Sequence, residues 1–119
     1  QLTLDVAPRV RAKIIVEAAN GPTTSDADRV FEQMGVIVVP DIIVNAGGVV
    51  VSYFEWIQNI QSLTWDEEAV NRTLEQIMIR AFNEIWQAAA RRGITLRLSA
   101  YMLAIDRVVK AKKIRGVFP

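Results

Sequence analysis

Residues 13–41, KIIVEAANGPTTSDADRVFEQMGVIVVPD, decide the fold. Two short apolar runs rich in β-branched residues, 12–17 and 36–39, flank a helical stripe that Thr24 or Ser25 can cap. The second run has no polar alternation, which is typical of a strand covered on both faces. Strand, helix and strand joined by short connections predict a parallel βαβ unit of an α/β fold. Because two strands rarely form a stable sheet, we expect its other strands to lie elsewhere.

Downstream of this unit the sequence predicts three helices. After a strand-like run at 42–44, apolar residues recur at helical spacing from about Ala46. Thr64 is expected to cap the second helix, with Glu67 in the capping-box position. The strong apolar periodicity of this second helix ends at Gly93, where we expect the helix to stop.

The third helix is expected from about Leu96 to Gly116, with basic residues in its last turns. Its apolar residues, like those of the second helix, recur at steps of three and four and are expected to face inward. They are Val70, Leu74, Ile77, Met78, Ala81, Phe82, Ile85 and Ala89 in the second helix, and Ala100, Tyr101, Ala104, Ile105, Val108 and Val109 in the third.

Composition excludes several classes of function. The 119 residues include no Cys and no His, which excludes a disulfide framework, a zinc-thiolate site, a thiol nucleophile and a Ser-His triad. Carboxylates, Lys, Tyr or a cofactor must carry any chemistry, and no metal site is predicted. A net charge of +1 gives no broad field for nucleic acid, and no apolar run reaches the ~20 residues of a membrane span. Since the chain starts at Gln1 without a signal segment, we expect a cytoplasmic protein that begins further upstream.

Two asparagines are the main candidates for ligand binding. Asn20 follows the first strand and Asn45 follows the strand-like run, so we expect both at one rim of the sheet, where open α/β sheets bind ligands. Each amide can donate and accept hydrogen bonds, which suits a ribose hydroxyl or a carboxamide. The alternative for Asn20 is a purely structural turn with the Gly and Pro that follow it.

The residues after Asn45 offer further candidates. The pair Gly47-Gly48 allows a close approach of backbone to a ligand, although no Walker lysine or Gly-x-Gly-x-x-Gly supports a phosphate loop. Ser52 lies on the helical face of Asn45 and can either hydrogen-bond an anion or bond back to its own helix. Structural or solvated roles are expected for the nearby carboxylates Glu17, Asp41 and Glu55. Core or interface positions are expected for Trp56, Trp65 and Trp86.

Several motifs stand together in one order and spacing. They are KIIVEAANGPTT at 13–24, VPD at 39–41, NAGGV at 45–49, VSYFEW at 51–56, and the pairs Leu96-Arg97 and Ala100-Tyr101. This combination closely resembles the carboxyl-terminal part of the glutamate dehydrogenases, within the glutamate, leucine, phenylalanine and valine dehydrogenase family. The resemblance covers nearly the whole chain.

The resemblance implies a fold and a reaction. Residues 1–61 would be the later half of a Rossmann-like nucleotide-binding domain, and residues 62–119 a C-terminal helical segment that packs back on a substrate domain outside this sequence. The reaction would be oxidative deamination of L-glutamate to 2-oxoglutarate and ammonia, with NAD or NADP as cofactor; the preference between the two stays open. The SYFEW continuation at 52–56 favours glutamate over the neutral substrates of related dehydrogenases.

The resemblance also implies residue roles. Asn20 and Asn45 would contact the nicotinamide ribose and carboxamide, Ser52 would bind the side-chain carboxylate of glutamate, and Val49 would line the same pocket. The catalytic Lys and Asp of the family belong to segments upstream of Gln1, so no catalytic residue is assigned here and we expect no turnover by this chain alone.

The implied partners are the substrate pair, the N-terminal part of the enzyme and further copies in a homo-oligomer, a hexamer in the family; nucleic acid and membrane are not expected. Two alternatives stay open. One is a fragment of a branched-chain amino-acid dehydrogenase. The other is a non-catalytic remnant that self-associates through exposed apolar surfaces.

Overall fold

The computed structural model describes residues 1–116, in which two short strands are accompanied by five α-helices. A single 3-10 turn, Ala7–Arg9, precedes the first strand. The elements that follow are β1 Ile14–Val16, α1 Ser25–Gln33, β2 Ile37–Val39, α2 Asp41–Val44, α3 Ala46–Gln61, α4 Glu67–Arg92 and α5 Leu96–Arg115.

The βαβ unit predicted from residues 13–41 is confirmed. Strands β1 and β2 pair in parallel, with Ile14 opposite Ile37 and Val16 opposite Val39. Helix α1 begins where the sequence predicts, because the Thr24 side chain accepts a hydrogen bond from the Ala27 N–H group. The chain leaves β1 at its carboxyl end and returns from α1 to the amino end of β2, so the two strands run in the same direction.

One face of this sheet packs and the other is largely open. Ala27 and Phe31 of α1 are fully buried against one face. Ile14 and Val16 on the other face are 58% and 59% exposed. The expectation that the second strand is covered on both faces is confirmed only in part. Val38 packs on the α1 face and Val39 packs against the core of α4 and α5 on the other face, but Ile37 is exposed within residues 1–116.

The strand-like run at 42–44 is part of a helix, so the prediction of a strand there is wrong. Pro40 and Asp41 start a short helical turn, in which the N–H groups of Ile43 and Val44 donate to the Pro40 carbonyl oxygen. The N–H group of Asn45 donates to the Asp41 carbonyl oxygen. Three apolar residues are too few to show a period, and here the buried side chain of Ile43 faces a helical core.

Helix α4 starts later than the capping-box pattern predicts. Asp66, not Thr64, is the N-cap residue, and its Oδ1 accepts the Ala69 N–H group at 2.7 Å. The preceding residue, Trp65, is held outside the helix because its backbone N–H group donates to Oε1 of Gln58 at 2.6 Å. The predicted end is confirmed, since Gly93 closes α4 with a left-handed φ of +62°.

The helices share a core around the start of α5. Ile43, Ile85 and Leu96 belong to one buried cluster together with Ala89 and Ala100. Buried Ser99 joins α5 to α4, because its hydroxyl donates to the carbonyl oxygen of Ile85 at 2.8 Å. The last turns of α5 leave this core.

Several apolar residues predicted to face inward are exposed in residues 1–116. No described element covers the outer parts of α4 and α5. Trp56 and Trp86 are exposed as well, so of the core or interface positions expected for the tryptophans, a core position is wrong for these two within residues 1–116. The exposed residues are Ile77, Tyr101, Ile105, Val108 and Val109, with Trp56 and Trp86.

Candidate functional site

The two candidate asparagines meet in the structure. The side-chain amide of Asn45 donates from Nδ2 to Oδ1 of Asn20 at 2.7 Å, and both residues are exposed. This contact confirms that they share one rim. Asn45 reaches it through α2, which occupies the place of the expected strand. The bond does not use the amide N–H groups of Asn20 or the amide oxygen of Asn45.

A second set of hydrogen bonds fixes the loops on which the asparagines lie. The N–H group of Gly21 donates to Oδ2 of Asp41 at 2.8 Å, with Gly21 at a φ of +54° that favours glycine. The N–H group of Asp41 in turn donates to Oε2 of Glu17 at 3.0 Å. The loop after β1 is thus tied directly to the start of α2.

Arg97 of α5 lies behind both loops. Its Nη2 and Nη1 atoms donate to Oε1 and Oε2 of Glu17 at 2.7 and 3.0 Å, and its Nε donates to Oδ2 of Asp28 at 2.7 Å. Nη1 also lies 3.7 Å from Oδ1 of Asp41. One guanidinium therefore joins the end of β1, the first turn of α1 and the start of α2. Structural roles are confirmed for Glu17 and Asp41.

The protonation states of this cluster follow from its contacts. Burial, at 2% exposure, acts to raise the pKa of Glu17, but hydrogen bonds from Arg97 and from the Asp41 N–H group outweigh it and the pKa lies below its usual range. The buried Thr23 hydroxyl favours the charged carboxylate without reaching hydrogen-bond geometry. The Glu17 hydrogen bonds raise the pKa of Arg97, so the pair is fully charged at neutral pH.

Helix α3 carries the other candidates on the face that begins at Asn45. Asn45, Gly48 and Ser52 are spaced three and four residues apart and so lie above one another, with Ser52 about 10 Å along the helix axis. The Ser52 hydroxyl donates to the Gly48 carbonyl oxygen at 3.1 Å, which is the back-bonded alternative left open by the sequence. Val49 beside them is 69% exposed. The structure brings the two asparagines together, but neither Ser52 nor Val49 makes a side-chain hydrogen bond to them.

The two glycines of α3, Gly47 and Gly48, lie in different surroundings. A Cβ atom built on Gly47 would meet Cδ1 of Leu74 at 3.9 Å, which is ordinary contact with α4. A Cβ atom on Gly48 would meet nothing within 4 Å. Packing within the chain therefore does not require a glycine at position 48, and its absent side chain leaves a notch between Asn45 and Ser52.

The sequence profile of the glutamate/leucine/phenylalanine/valine dehydrogenase family matches residues 1–116. The chain belongs to this family. It is 55% identical over 119 residues to glutamate dehydrogenase A2 of Halobacterium salinarum, a match that covers 99% of the chain and 29% of that protein. It is 48% identical over 115 residues to the NAD-specific glutamate dehydrogenase of Clostridioides difficile, covering 97% of the chain and 27% of the relative.

A solved structure of the same family has the same fold. The hetero-hexameric glutamate dehydrogenase of Thermus thermophilus, in a leucine-bound form, superposes with a TM-score of 0.91 at 34% identity, over 98% of the chain and 28% of that protein. The chain thus spans between a quarter and a third of the length of these dehydrogenases.

Two residues of the chain were not singled out as site residues from the sequence. They are Arg97 and its partner Asp28, which lie 69 positions apart. No local pattern connects them, because an ion pair between distant elements leaves no periodicity or cap signature in either segment. Within residues 1–116, no group of three or more acidic side chains is arranged to hold a metal ion, and no described helix is long and apolar enough to cross a membrane.

Proposed function

We propose that the chain is part of an NAD(P)-dependent glutamate dehydrogenase, which converts L-glutamate to 2-oxoglutarate and ammonia. The observation that carries the proposal is the Asn20–Asn45 pair at 2.7 Å, on the same rim as the α3 face that contains Ser52. Family membership and the two glutamate dehydrogenase relatives support the reaction class. When bound, the nicotinamide cofactor would supply the hydride acceptor.

The asparagines would hold the nicotinamide end of the cofactor. Their mutual hydrogen bond uses one donor of Asn45 and one acceptor of Asn20, which leaves donors on Asn20 and an acceptor on Asn45. A carboxamide and a ribose hydroxyl each need both kinds of group. The notch at Gly48 would admit the cofactor or substrate beside α3, since a Cβ atom there meets nothing.

Ser52 and Val49 would form one wall of the substrate pocket. The Ser52 hydroxyl, now bonded to Gly48, can rotate about χ1 and donate to a carboxylate, and a charged acceptor is the stronger partner. A bound glutamate would cover the exposed Val49 side chain. A leucine or valine substrate offers no carboxylate at this position, so glutamate is the substrate that uses the hydroxyl.

The domain assignment belongs to the same proposal. Residues 1–61 would be the later half of a Rossmann-like nucleotide-binding domain, and residues 62–119 a helical segment that packs on the substrate domain. The family's catalytic Lys and Asp would come from the rest of the enzyme, so the 119-residue chain alone should show no turnover with glutamate and NAD or NADP. The intact enzyme would be a homo-oligomer; the hetero-hexameric relative supports the number of six subunits.

A chimeric enzyme tests the proposal. Residues 1–116 replace the matching segment of the Clostridioides difficile enzyme, and steady-state rates are measured with glutamate, leucine and valine. We expect NAD-dependent oxidation of glutamate. Ser52→Ala should lower kcat/KM for glutamate by about 10- to 100-fold, the value of a hydrogen bond to a charged group, with little change for leucine.

The matched control is Ser25→Ala, which removes an exposed hydroxyl from the first turn of α1 outside the proposed pocket. It should retain the activity of the unsubstituted chimera. A chimera that prefers leucine or valine would contradict the glutamate assignment and favour a branched-chain dehydrogenase. Equal losses for all three substrates in Ser52→Ala would contradict the role of Ser52.

A further inference from the structure

Four charged residues form a cluster directly behind the proposed cofactor rim. They are Glu17, Asp28, Asp41 and Arg97, called the Arg97 cluster below. Glu17 precedes Asn20 by three residues, and Asp41 precedes Asn45 by four. Both asparagine loops are therefore attached, within about one helical turn of chain, to carboxylates that meet the same guanidinium.

The planar shape of the Arg97 guanidinium fixes the relative positions of the carboxylates that it binds. Arg97 uses its two terminal nitrogens for the Glu17 carboxylate and its Nε edge for Asp28, so the planar group fixes β1 relative to α1. Glu17 then accepts the Asp41 N–H group, and Asp41 accepts the Gly21 N–H group. A lysine cannot reproduce this pattern, because an ammonium group is a single point of charge without the fixed fork.

We propose that Arg97 is a positioning residue of the reaction, which holds the Asn20 and Asn45 loops at the separation that the nicotinamide requires. The inference rests on the function proposed above. Arg97 hydrogen-bonds Glu17 and Asp28 behind the rim, so it would act through the asparagine pair and not by binding the cofactor itself. Helix α5 thereby becomes a structural support of the nucleotide site, although the helix lies more than 50 residues downstream of Asn45.

Kinetics of the chimeric enzyme test this role. We expect Arg97→Lys to lower kcat and kcat/KM for NAD by about 10- to 100-fold, as a displacement of about 1 Å in a reacting group does. KM for glutamate should change less. The matched control is Arg107→Lys on the same helix, whose only ion pair is with Glu84 among the described residues, and we expect rates close to those of the unsubstituted chimera.

A double-mutant cycle separates positioning from general stability. If Arg97 acts through the asparagine pair, Arg97→Lys should have little further effect on kcat/KM in an Asn45→Ala background, because the pair is already broken. Full additivity of the two losses would overturn the proposal. If Arg97→Lys does not fold, Asp28→Asn removes one anchor of the guanidinium at nearly constant volume and should show the same non-additivity with a smaller loss.

Crystal structures of the ligand-free chimera and its Arg97→Lys variant give a readout that does not depend on activity. The distance from Asn45 Nδ2 to Asn20 Oδ1 should increase from 2.7 Å to beyond hydrogen-bond range in the variant. An unchanged distance would overturn the proposal. An inactive unsubstituted chimera would contradict the proposed function alone, and this distance would still decide whether Arg97 positions the pair.

Discussion

At the scale of single residues, the Glu17–Arg97 ion pair is the most consequential contact of the chain. Glu17 is almost completely buried, and all of its carboxylate contacts go to Arg97, to the Asp41 N–H group or towards Thr23. Removing the guanidinium would leave a buried charge without its partner, which typically costs about 3–5 kcal/mol of stability. The pair therefore makes the strand ends and α5 interdependent.

The depressed pKa of Glu17 predicts an acid-dependent loss of stability. A carboxyl whose pKa is lower in the folded state than its ordinary value of 4.5 contributes fully above that value, and the contribution is lost as the pH falls through the folded pKa. We expect the melting temperature of the chain to fall more steeply than that of Glu17→Gln as the pH is lowered below about 4.5.

Thermal unfolding followed by circular dichroism measures both curves. Glu17→Gln keeps Asp28 and Asp41 beside Arg97, so the difference between the two curves reports the loss of the Glu17 carboxylate. Parallel curves would show that protonation of Glu17 does not contribute to acid unfolding.

At the scale of elements, local sequence signals predict where helices begin and end more reliably than they predict which helix surfaces are buried. Thr24 and Gly93 act where the sequence places them, because a cap or a left-handed glycine is a property of a few adjacent residues. Thr64 and Asp66 compete within three positions for one helix start, and the contact of Trp65 with Gln58 decides in favour of Asp66. Such a contact between separate elements is absent from any local pattern.

The assignment of the α4 cap can be tested by substitution. Asp66→Ala should lower the free energy of unfolding by about 1 kcal/mol, because the Ala69 N–H group loses its partner. Thr64→Ala, the matched control in the exposed connection, should change it by less than about 0.5 kcal/mol. Urea unfolding of dilute chain gives both values, and the reverse order would restore Thr64 as the cap.

The glycines of α3 should separate stability from function. Gly48→Ala should raise the free energy of unfolding by about 0.4–1 kcal/mol, since the helical backbone accepts Ala and the Cβ atom meets nothing. In the chimera the same substitution should weaken NAD or glutamate binding by filling the notch. Gly47→Ala, which faces Leu74, is the control and should stabilise without a change in KM. Unchanged KM values in Gly48→Ala would mean that neither ligand uses the notch.

At the scale of the whole molecule, the described chain is extended and leaves apolar surface open. Its radius of gyration is 17.3 Å, whereas a compact chain of this length has about 13.5 Å. On α3 an exposed apolar stripe runs through Val49, Tyr53, Trp56 and Ile60, with the rings of Tyr53 and Trp56 stacked at 5.7 Å. A surface of this kind is typical of an interface with another part of a protein.

The isolated 119-residue chain should therefore self-associate. Size-exclusion chromatography with light scattering should give a mass above 13.3 kDa that rises with concentration. A double variant, Tyr53→Gln with Trp56→Gln, should shift the distribution towards the monomer, whereas Arg72→Gln on the polar surface of α4 should not. A concentration-independent monomer would contradict the expectation.

The sequence predicts the βαβ unit and the meeting of the asparagines, but not what surrounds them. The apolar periodicity that predicts buried positions for Tyr101 and Val108 identifies side chains that favour burial, without identifying a partner, and no described element covers them. The Asn20–Asn45 contact follows correctly from chain order, although its expected cause, a strand before Asn45, is replaced by α2. The Arg97 cluster joins segments that share no local signature, so only three-dimensional structure reveals it.

The 80-residue separation of Glu17 and Arg97 has a consequence for synthesis on the ribosome. Translation proceeds from the amino terminus, so the strand ends, α3 and α4 leave the exit tunnel before the guanidinium that joins the strand ends. Until α5 emerges, the Glu17 carboxylate has no cation to pair with and the two asparagine loops lack their common support. The rim is thus completed last, and a nascent chain stalled before residue 97 would display its strands without the support that Arg97 gives to the Asn20 and Asn45 loops.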